Sequence, residues 1–173
     1  MTPVSIFADR YLDRLSIVSK DPESVTGLTT GLKSVDKALG GLQKSDFVIV
    51  AGRPGMGKTG FLVGIAKHVG LSLMRNVAIF TLEMSAEQLL QRMLAQDTQI
   101  DSQRLRQAKF DDNEMYTVVH AISNISTSHI YIDDTPAITP MQMRAKCRRL
   151  QQEKTLDLVI VDYLQLMSGD TRS

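Results

Sequence analysis

The stretch Gly52-Arg53-Pro54-Gly55-Met56-Gly57-Lys58-Thr59 decides the fold, because it matches the pattern G-x-x-x-x-G-K-[ST] at every fixed position. An apolar run, Phe47–Ala51, precedes it and predicts a buried strand, and the segment Gly60–Leu73 after it has helical periodicity. In a strand–loop–helix of this kind, backbone N–H groups converge on phosphate oxygens at the start of the helix. Glycines in the loop keep side chains out of that approach.

The loop predicts a binding site for ATP and Mg²⁺. We expect Lys58 to reach the β- and γ-phosphates and the hydroxyl of Thr59 to bind Mg²⁺. The complete set of predicted nucleotide-binding residues is Gly52, Arg53, Pro54, Gly55, Met56, Gly57, Lys58 and Thr59.

Strands and helices alternate after residue 46, which predicts an α/β fold with a parallel sheet and helices on both faces. Ser85 and Gln88 have the spacing of a capping box at the start of one helix. The other predicted strands are Asn76–Leu82, His129–Ile132 and Leu158–Asp162, and the other predicted helices are Ser85–Gln96, Asp101–Ala108, Asp111–Ile125 and Thr139–Glu153.

The N-terminal segment Thr2–Ser16 carries apolar residues at spacings of three and four, which predicts a helix with one apolar stripe. The polar stretch Ser19–Thr26 after it is typical of a linker. Such a helix either folds back on its own domain or docks on a neighbouring molecule, and the pattern does not choose between them.

Two strands end in acidic residues that could organise a metal ion. The run Leu158–Asp162 carries a single Asp, Asp162, to the carboxyl edge of the sheet, where ligands bind in open α/β sheets. The rival pair, Asp133 and Asp134, follows a shorter apolar run and is followed at once by Thr135-Pro136. We therefore favour Asp162 as the metal-organising acid and expect the rival pair to cap a turn.

Glu83 follows the strand Asn76–Leu82 directly. At that edge its carboxylate could activate the attacking water. It could equally be an acidic residue that favours the start of the next helix. The pattern leaves both interpretations open.

Composition limits the class of protein. The chain has 173 residues, 43% of them hydrophobic, and a net charge of +1, so a nucleic-acid surface would have to be a local patch or arise by assembly. The single cysteine, Cys147, excludes an intramolecular disulfide and is expected to be a packing residue. No apolar run is long enough to span a bilayer, and no secretory signal is evident, so we expect a cytoplasmic protein without a membrane partner.

Three motifs together resemble the RecA-fold ATPases, and among them the DnaB family of bacterial replicative helicases. They are the loop 52–59, the run Thr81-Leu82-Glu83-Met84-Ser85, and the run Val161-Asp162-Tyr163-Leu164-Gln165-Leu166-Met167. Upstream, Gly27-Leu28-Thr29-Thr30-Gly31-Leu32 and Gly40-Gly41-Leu42 add to the likeness.

The resemblance implies a hexameric ring that hydrolyses ATP between subunits, translocates on single-stranded DNA and works with a primase and a helicase loader. It makes Glu83 the catalytic glutamate, Lys58 a phosphate ligand in the catalytic machinery, and Asp162 the Walker B aspartate that holds Mg²⁺ through water. It also makes residues 1–24 a linker helix and connector that docks on the next subunit, and residues 25–173 a RecA-like ATPase domain.

Two departures from the family stand out. Ser45 occupies a position where the family usually has a turn glycine. The family also continues beyond Asp162 with at least one more core strand, the polar sensor, the DNA-binding loops and an arginine finger, and it has an N-terminal collar domain. We therefore expect residues 1–173 alone to hydrolyse ATP poorly. Two other functions are alternatives to that of a helicase motor. One is a RecA-like ATP-binding regulator or helicase paralogue without unwinding activity, and the other is a recombinase-type filament former.

Overall fold

The computed structural model describes residues 3–20 and 25–163. The chain divides into two compact units, Met1–Val50 and Ala51–Ser173. The predicted connector at 21–24 and the motif residues 164–167 lie outside the described residues. The predicted boundary between residues 24 and 25 stays a prediction.

The first unit contains helix α1, Val4–Lys20, and helix α2, Lys33–Leu39. Helix α1 continues through Lys20, so the predicted end at Ser16 and the predicted linker start at Ser19 are wrong. Both serines fit into the helix because their hydroxyls donate to carbonyls one turn earlier, Ser16 Oγ to Asp13 at 2.7 Å and Ser19 Oγ to Ser16 at 3.1 Å.

Helix α2 is held in place by a buried carboxylate. Asp36 accepts hydrogen bonds from the backbone N–H of Thr30 at 2.7 Å and from its hydroxyl at 2.8 Å. Further along, Ser45 has a φ of 72°, in the left-handed region that glycine adopts without strain. This conformation gives a physical reason for the turn glycine that the family usually has there.

The second unit is built on a parallel sheet of three strands in the order β2-β1-β3. The strands are β1, Val77–Thr81, β2, Ile130–Asp133, and β3, Leu158–Asp162, and they confirm three of the four predicted strands. The helices are α3, Lys58–Lys67, α4, Ala86–Thr98, α5, Ser102–Arg106, α6, Asp112–Ser126, and α7, Pro140–Lys154. A π-helical turn, His68–Ser72, extends α3.

Both faces of β1 are buried along its whole length. On one face Ala78 and Phe80 pack with Ile138 and with apolar side chains of α7. Val77 and Ile79 point to the opposite face because side chains alternate along a strand, and they are equally buried. Burial on both sides is the pattern of a parallel strand covered by helices.

Cys147 of α7 packs against this core, half-buried, as expected of a packing residue. Burial, followed by the nearby charge of Asp133, raises the pKa of its thiol. A raised pKa lowers the fraction of reactive thiolate, so the environment suits a packing role.

The fourth predicted strand, Phe47–Ala51, is not formed. Phe47 and Ile49 are 77% and 69% exposed, and Val48 and Val50 are exposed as well. A strand exists only where another segment satisfies its N–H and C=O groups, and no segment of the described residues pairs with this one. The prediction of a buried strand is therefore wrong for the described part of the chain.

The helix starts follow the predicted capping chemistry. Ser85 and Gln88 form the predicted capping box of α4, with the Ser85 side chain accepting from the Gln88 N–H. Asp101 and Asp111, expected to open helices, are the N-cap residues of α5 and α6.

Gly70 lets the π-helical turn approach the sheet. Its carbonyl accepts the N–H of His129 at 3.0 Å, and a Cβ placed on it would lie 2.4 Å from Cγ1 of Ile130. That distance is too short for any contact between carbon atoms, so a side chain at 70 would push the turn away from β2.

We expect Gly70→Ala to lower the free energy of unfolding by about 1–3 kcal/mol, the usual cost of overpacking a core. The matched control is Gly64→Ala in α3, where a Cβ would meet nothing within 4 Å. That substitution should stabilise by up to about 1 kcal/mol, the helix propensity difference between the two residues. Urea unfolding of both variants measures the contrast, and equal stability of the two would contradict the packing argument.

Candidate nucleotide-binding site

The loop 52–57 owes its shape to two glycines in the left-handed region. Gly55 and Gly57 both have a φ of 80°, and Gly57 is the N-cap residue of α3. A side chain at either position would strain the backbone. At Gly52 a Cβ would meet only ordinary contacts, the nearest at 3.5 Å to Lys58 Cγ, so the protein's own packing does not require glycine there.

Helix α3 begins at Lys58, immediately after the loop. The first four N–H groups of a helix have no partner within it, and together with the helix dipole they favour an anion. The ammonium group of Lys58 lies 5.5 Å from the centroid of the Tyr163 ring, within the range of a cation–π contact. The sequence assigned no role to Tyr163.

The structure brings Thr59 and Asp162 together. Thr59 Oγ1 donates a hydrogen bond of 2.7 Å to Asp162 Oδ2, across a separation of 103 residues. Asp162 is only 6% exposed, and it ends β3 beside the loop. A hydroxyl and a carboxylate are the oxygen ligands that suit Mg²⁺, so the two groups fit a magnesium site in which a nucleotide supplies phosphate oxygens.

Asp133 and Asp134 are engaged elsewhere. Asp133 forms an ion pair with Lys146 and accepts the N–H of Thr135 at 3.1 Å, which caps the turn after β2. Burial raises the pKa of Asp133, but the hydrogen bonds from Lys146 and Thr135 outweigh it and hold that pKa below its ordinary value. Asp134 accepts the N–H of Ala86 at 2.9 Å. Neither carboxylate is hydrogen-bonded to the loop 52–59.

Glu83 lies at the same edge of the sheet as Asp162. Thr81 and Asp162 are paired in register, and Glu83 follows two positions beyond Thr81 in the bend before α4. Its side chain is exposed and makes no hydrogen bond or ion pair with the residues that the structure describes. The N-cap of α4 is Ser85 and the acid in its first turn is Glu87, so Glu83 lies outside the helix.

Sequence reasoning missed the side chains that tie α4 to its surroundings. The Gln96 amide donates to the carbonyl of Gly60, in the first turn of α3, at 2.9 Å, and Lys67 forms an ion pair with Asp97. The Thr81 hydroxyl donates to the carbonyl of Met84 at 3.0 Å. No motif marks these contacts, because their partners are backbone carbonyls or residues far away in sequence.

Two findings concern what the described residues do not form. Residues 3–20 and 25–163 contain no group of three or more His, Cys, Asp or Glu side chains that could hold a metal ion. Magnesium bound with a nucleotide needs no such group, since phosphates and waters complete its shell. Within the same ranges no helix is both long and apolar enough to cross a membrane.

Comparison with known proteins gives a consistent result. The family model described as DnaB-like helicase C terminal domain matches residues 27–173. The replicative DNA helicase DnaB of Geobacillus stearothermophilus is 44% identical over 161 residues, which cover 93% of this chain and 36% of that protein. The replicative DNA helicase DnaC of Bacillus subtilis is 45% identical over 149 residues, which cover 86% of this chain and 33% of that protein. The chain thus spans about a third of the length of these relatives.

Solved structures agree on the fold. The ATPase domain of G40P superimposes with a TM-score of 0.88 at 23% identity, covering 100% of this chain and 61% of that one. A DnaB-like replicative helicase, whose structure was described with its interactions with primase, gives a TM-score of 0.83 at 24% identity, covering 100% of this chain and 41% of that one. At such identities the likeness establishes the fold, which is the predicted RecA-like arrangement of a parallel sheet flanked by helices.

The match of the family model spans most of the chain, and the predicted resemblance is thereby confirmed. A family of this kind implies the use of a nucleotide, in keeping with the loop and the helix start at Lys58. The chain belongs to the family of DnaB-like helicase C-terminal domains.

Proposed function

We propose that this chain is the ATP-binding and ATP-hydrolysing motor domain of a hexameric replicative DNA helicase, which unwinds duplex DNA by translocating on single-stranded DNA. The observation that carries the ATP-hydrolysing part of the proposal is the 2.7 Å hydrogen bond between Thr59 and Asp162, and the helicase part rests on the family match. This hydrogen bond joins the phosphate-binding loop to the acidic end of a neighbouring strand, which is the juxtaposition that a Mg²⁺-dependent nucleotide hydrolase needs.

In the proposed site, the N–H groups of the loop and Lys58 bind the phosphates. The Thr59 hydroxyl would bind Mg²⁺ directly, and Asp162 would hold it through water. The buried position of Asp162 supports this role, because a carboxylate in a dry environment interacts more strongly with a cation than one in water.

Glu83 is the proposed general base. Its free carboxylate would accept a proton from a water molecule whose oxygen attacks the γ-phosphorus, as the bond from that phosphorus to the bridging oxygen breaks. Its place outside α4 supports this role over that of a helix-start acid, since the first turn already holds Glu87.

One proposed partner, primase, is named with a similar structure, and the helicase loader and single-stranded DNA are proposed from the family resemblance. The DnaB-like helicase described above was studied with primase, and we extend that partner to this chain, together with a helicase loader and single-stranded DNA. Because the curated relatives are named for replication, the proposed compartment is the bacterial cytoplasm.

Helix α1 presents exposed apolar side chains at Val4, Phe7, Tyr11 and Leu15, which supports the proposal that residues 1–24 dock on a neighbouring subunit.

The first prediction from the proposed function concerns nucleotide binding. Lys58→Ala should weaken the binding of a fluorescent ATP analogue by about 10- to 150-fold, because it removes hydrogen bonds between charged groups. The control is Lys109→Ala, an exposed lysine in the loop between α5 and α6. Equal affinity in wild type and Lys58→Ala would remove the basis for the nucleotide site.

The second prediction separates catalysis from binding. In the full-length protein, Glu83→Gln should leave Mg-ATP affinity within a few-fold and lower turnover by roughly 10²-fold or more, the effect of losing a general base. The control is Glu87→Gln, which removes the neighbouring acid at the start of α4 and should leave turnover unchanged. If wild type and Glu83→Gln share the same low turnover, the domain is an ATP-binding regulator and not a motor.

The third prediction compares the two strand-end aspartates. Asp162→Asn should raise the Mg²⁺ concentration for half-maximal turnover by about 10- to 100-fold, the usual effect of losing an outer-shell metal partner. Asp133→Asn should leave that concentration unchanged and instead lower stability at pH 7 by under about 1 kcal/mol, because it breaks a partly exposed ion pair.

The stability difference should depend on pH. The folded-state pKa of Asp133 is lowered, so its contribution is present above the unfolded-state pKa and is lost as pH falls through the folded-state value. Wild type and Asp133→Asn should therefore converge in stability as the pH falls below the ordinary pKa of an aspartate and through the lowered folded-state pKa of Asp133. If Asp133→Asn raised the Mg²⁺ concentration for half-maximal turnover and Asp162→Asn did not, Asp133 would be the metal-organising acid.

A further inference from the structure

The segment that carries Glu83 is short and lies between two fixed elements. Residues 82–84 form a bend between the end of β1 and the N-cap of α4. The Glu83 side chain makes no hydrogen bond or ion pair with the described residues, so no such bond sets the direction of its carboxylate. The backbone of the bend alone determines where that side chain starts.

The first link that holds the bend is made by Thr81. Its side chain is 2% exposed, and its hydroxyl donates to the carbonyl of Met84 at 3.0 Å, which closes the bend around Glu83. Leu82, the next residue after Thr81, donates its backbone N–H to the backbone carbonyl of Asp162 at 2.8 Å. The start of the bend is thereby tied to the strand end that contacts Thr59.

The second link is made by Asp134, which lies 48 residues from its partner. Its Oδ2 accepts the N–H of Ala86, the first residue of α4, at 2.9 Å. The capping box of α4 satisfies the N–H groups of Ser85 and Gln88, and Asp134 satisfies the further N–H of Ala86. Asp134 thereby links the end of β2 to the end of the bend.

We propose that Thr81 and Asp134 are positioning residues for Glu83, holding the bend at both ends so that the carboxylate meets the nucleotide-bound water. The proposal rests on the proposed role of Glu83 as general base. A general base must lie within hydrogen-bonding distance of the proton that it accepts, and displacements near 1 Å are enough to cost much of the rate. Neither side chain is hydrogen-bonded to the loop 52–59, so we expect nucleotide affinity to be independent of them.

The competing interpretation is that both contacts only stabilise the fold. The two roles differ in what a substitution changes. Loss of a cap or a turn contact lowers stability and leaves the turnover of the folded fraction unchanged. Loss of a positioning contact lowers kcat in protein that is folded and still binds nucleotide.

The test uses the full-length protein, with Thr81→Val and Asp134→Ala as the disruptive variants. Each should lower kcat by about 10- to 100-fold while the affinity for Mg-ATP stays within a few-fold. Thr81→Ser keeps the hydroxyl, and Asp134→Asn keeps an oxygen acceptor, so both should retain most of the wild-type kcat. Steady-state turnover, equilibrium nucleotide binding and thermal unfolding are measured on each variant.

Two controls remove the same kinds of contact far from the bend. Thr117→Val deletes a hydroxyl that donates to the carbonyl of Asn113 in α6, and Asp111→Ala deletes the N-cap acid of that helix. Asp111→Ala should lower the melting temperature, Thr117→Val should change it little because its hydroxyl is exposed, and neither should change kcat. If one disruptive variant fails to fold, the other carries the test together with its conservative partner.

Unchanged kcat in folded Thr81→Val and Asp134→Ala would overturn the proposal, as would equal losses in Thr81→Ser and Thr81→Val. Glu83→Gln distinguishes this result from a failure of the proposed function. If Glu83→Gln abolishes turnover and the positioning variants do not, only the positioning proposal is wrong. If Glu83→Gln leaves turnover unchanged, the role of Glu83 itself is wrong.

Discussion

The parallel pairing of β1 with a strand on each side is the constraint on which the second unit depends. Phe80 is in register with Asp133 of β2, and Thr81 with Asp162 of β3. Because the three strands run in the same direction, their carboxyl ends meet at one edge. Acidic residues that are far apart in the chain are brought together there, next to the loop that precedes α3.

The acids at that edge differ in chemistry because their partners differ. Asp162 is buried and accepts a hydrogen bond from the hydroxyl of Thr59. Asp133 forms an ion pair with Lys146, and Asp134 accepts an N–H at the start of α4. Of these four acids, only Glu83 makes no hydrogen bond or ion pair with the described residues. A carboxylate that is already paired with an ammonium group has little capacity left for a metal ion or a proton, so the partners sort four similar side chains into distinct roles.

The contrast between α1 and the segment Phe47–Val50 follows from the range of their hydrogen bonds. A helix satisfies its backbone within a few residues, so α1 forms and continues past the predicted end. A strand depends on a partner elsewhere in the chain, and among the described residues none pairs with Phe47–Val50. Apolar character predicted burial for this segment, but burial requires a surface to cover it, and its side chains are exposed.

The sequence by itself determined the features whose physics is local. The glycines at 55 and 57 specify a left-handed loop, Ser85 with Gln88 specifies a helix start, and the apolar runs at β1, β2 and β3 specify strands. The pattern also favoured Asp162 over Asp133 and Asp134 as the metal-organising acid, because a long apolar run ends in that one acid, and this assignment stays a prediction. Only the tertiary structure decided that Thr59 is hydrogen-bonded to Asp162 and that Lys146 forms an ion pair with Asp133. It also decided that Thr81 and Asp134 make the hydrogen bonds at the two ends of the bend 82–84. These contacts join backbone groups and residues distant in the chain, and no local pattern records a distance that arises only when the strands pair.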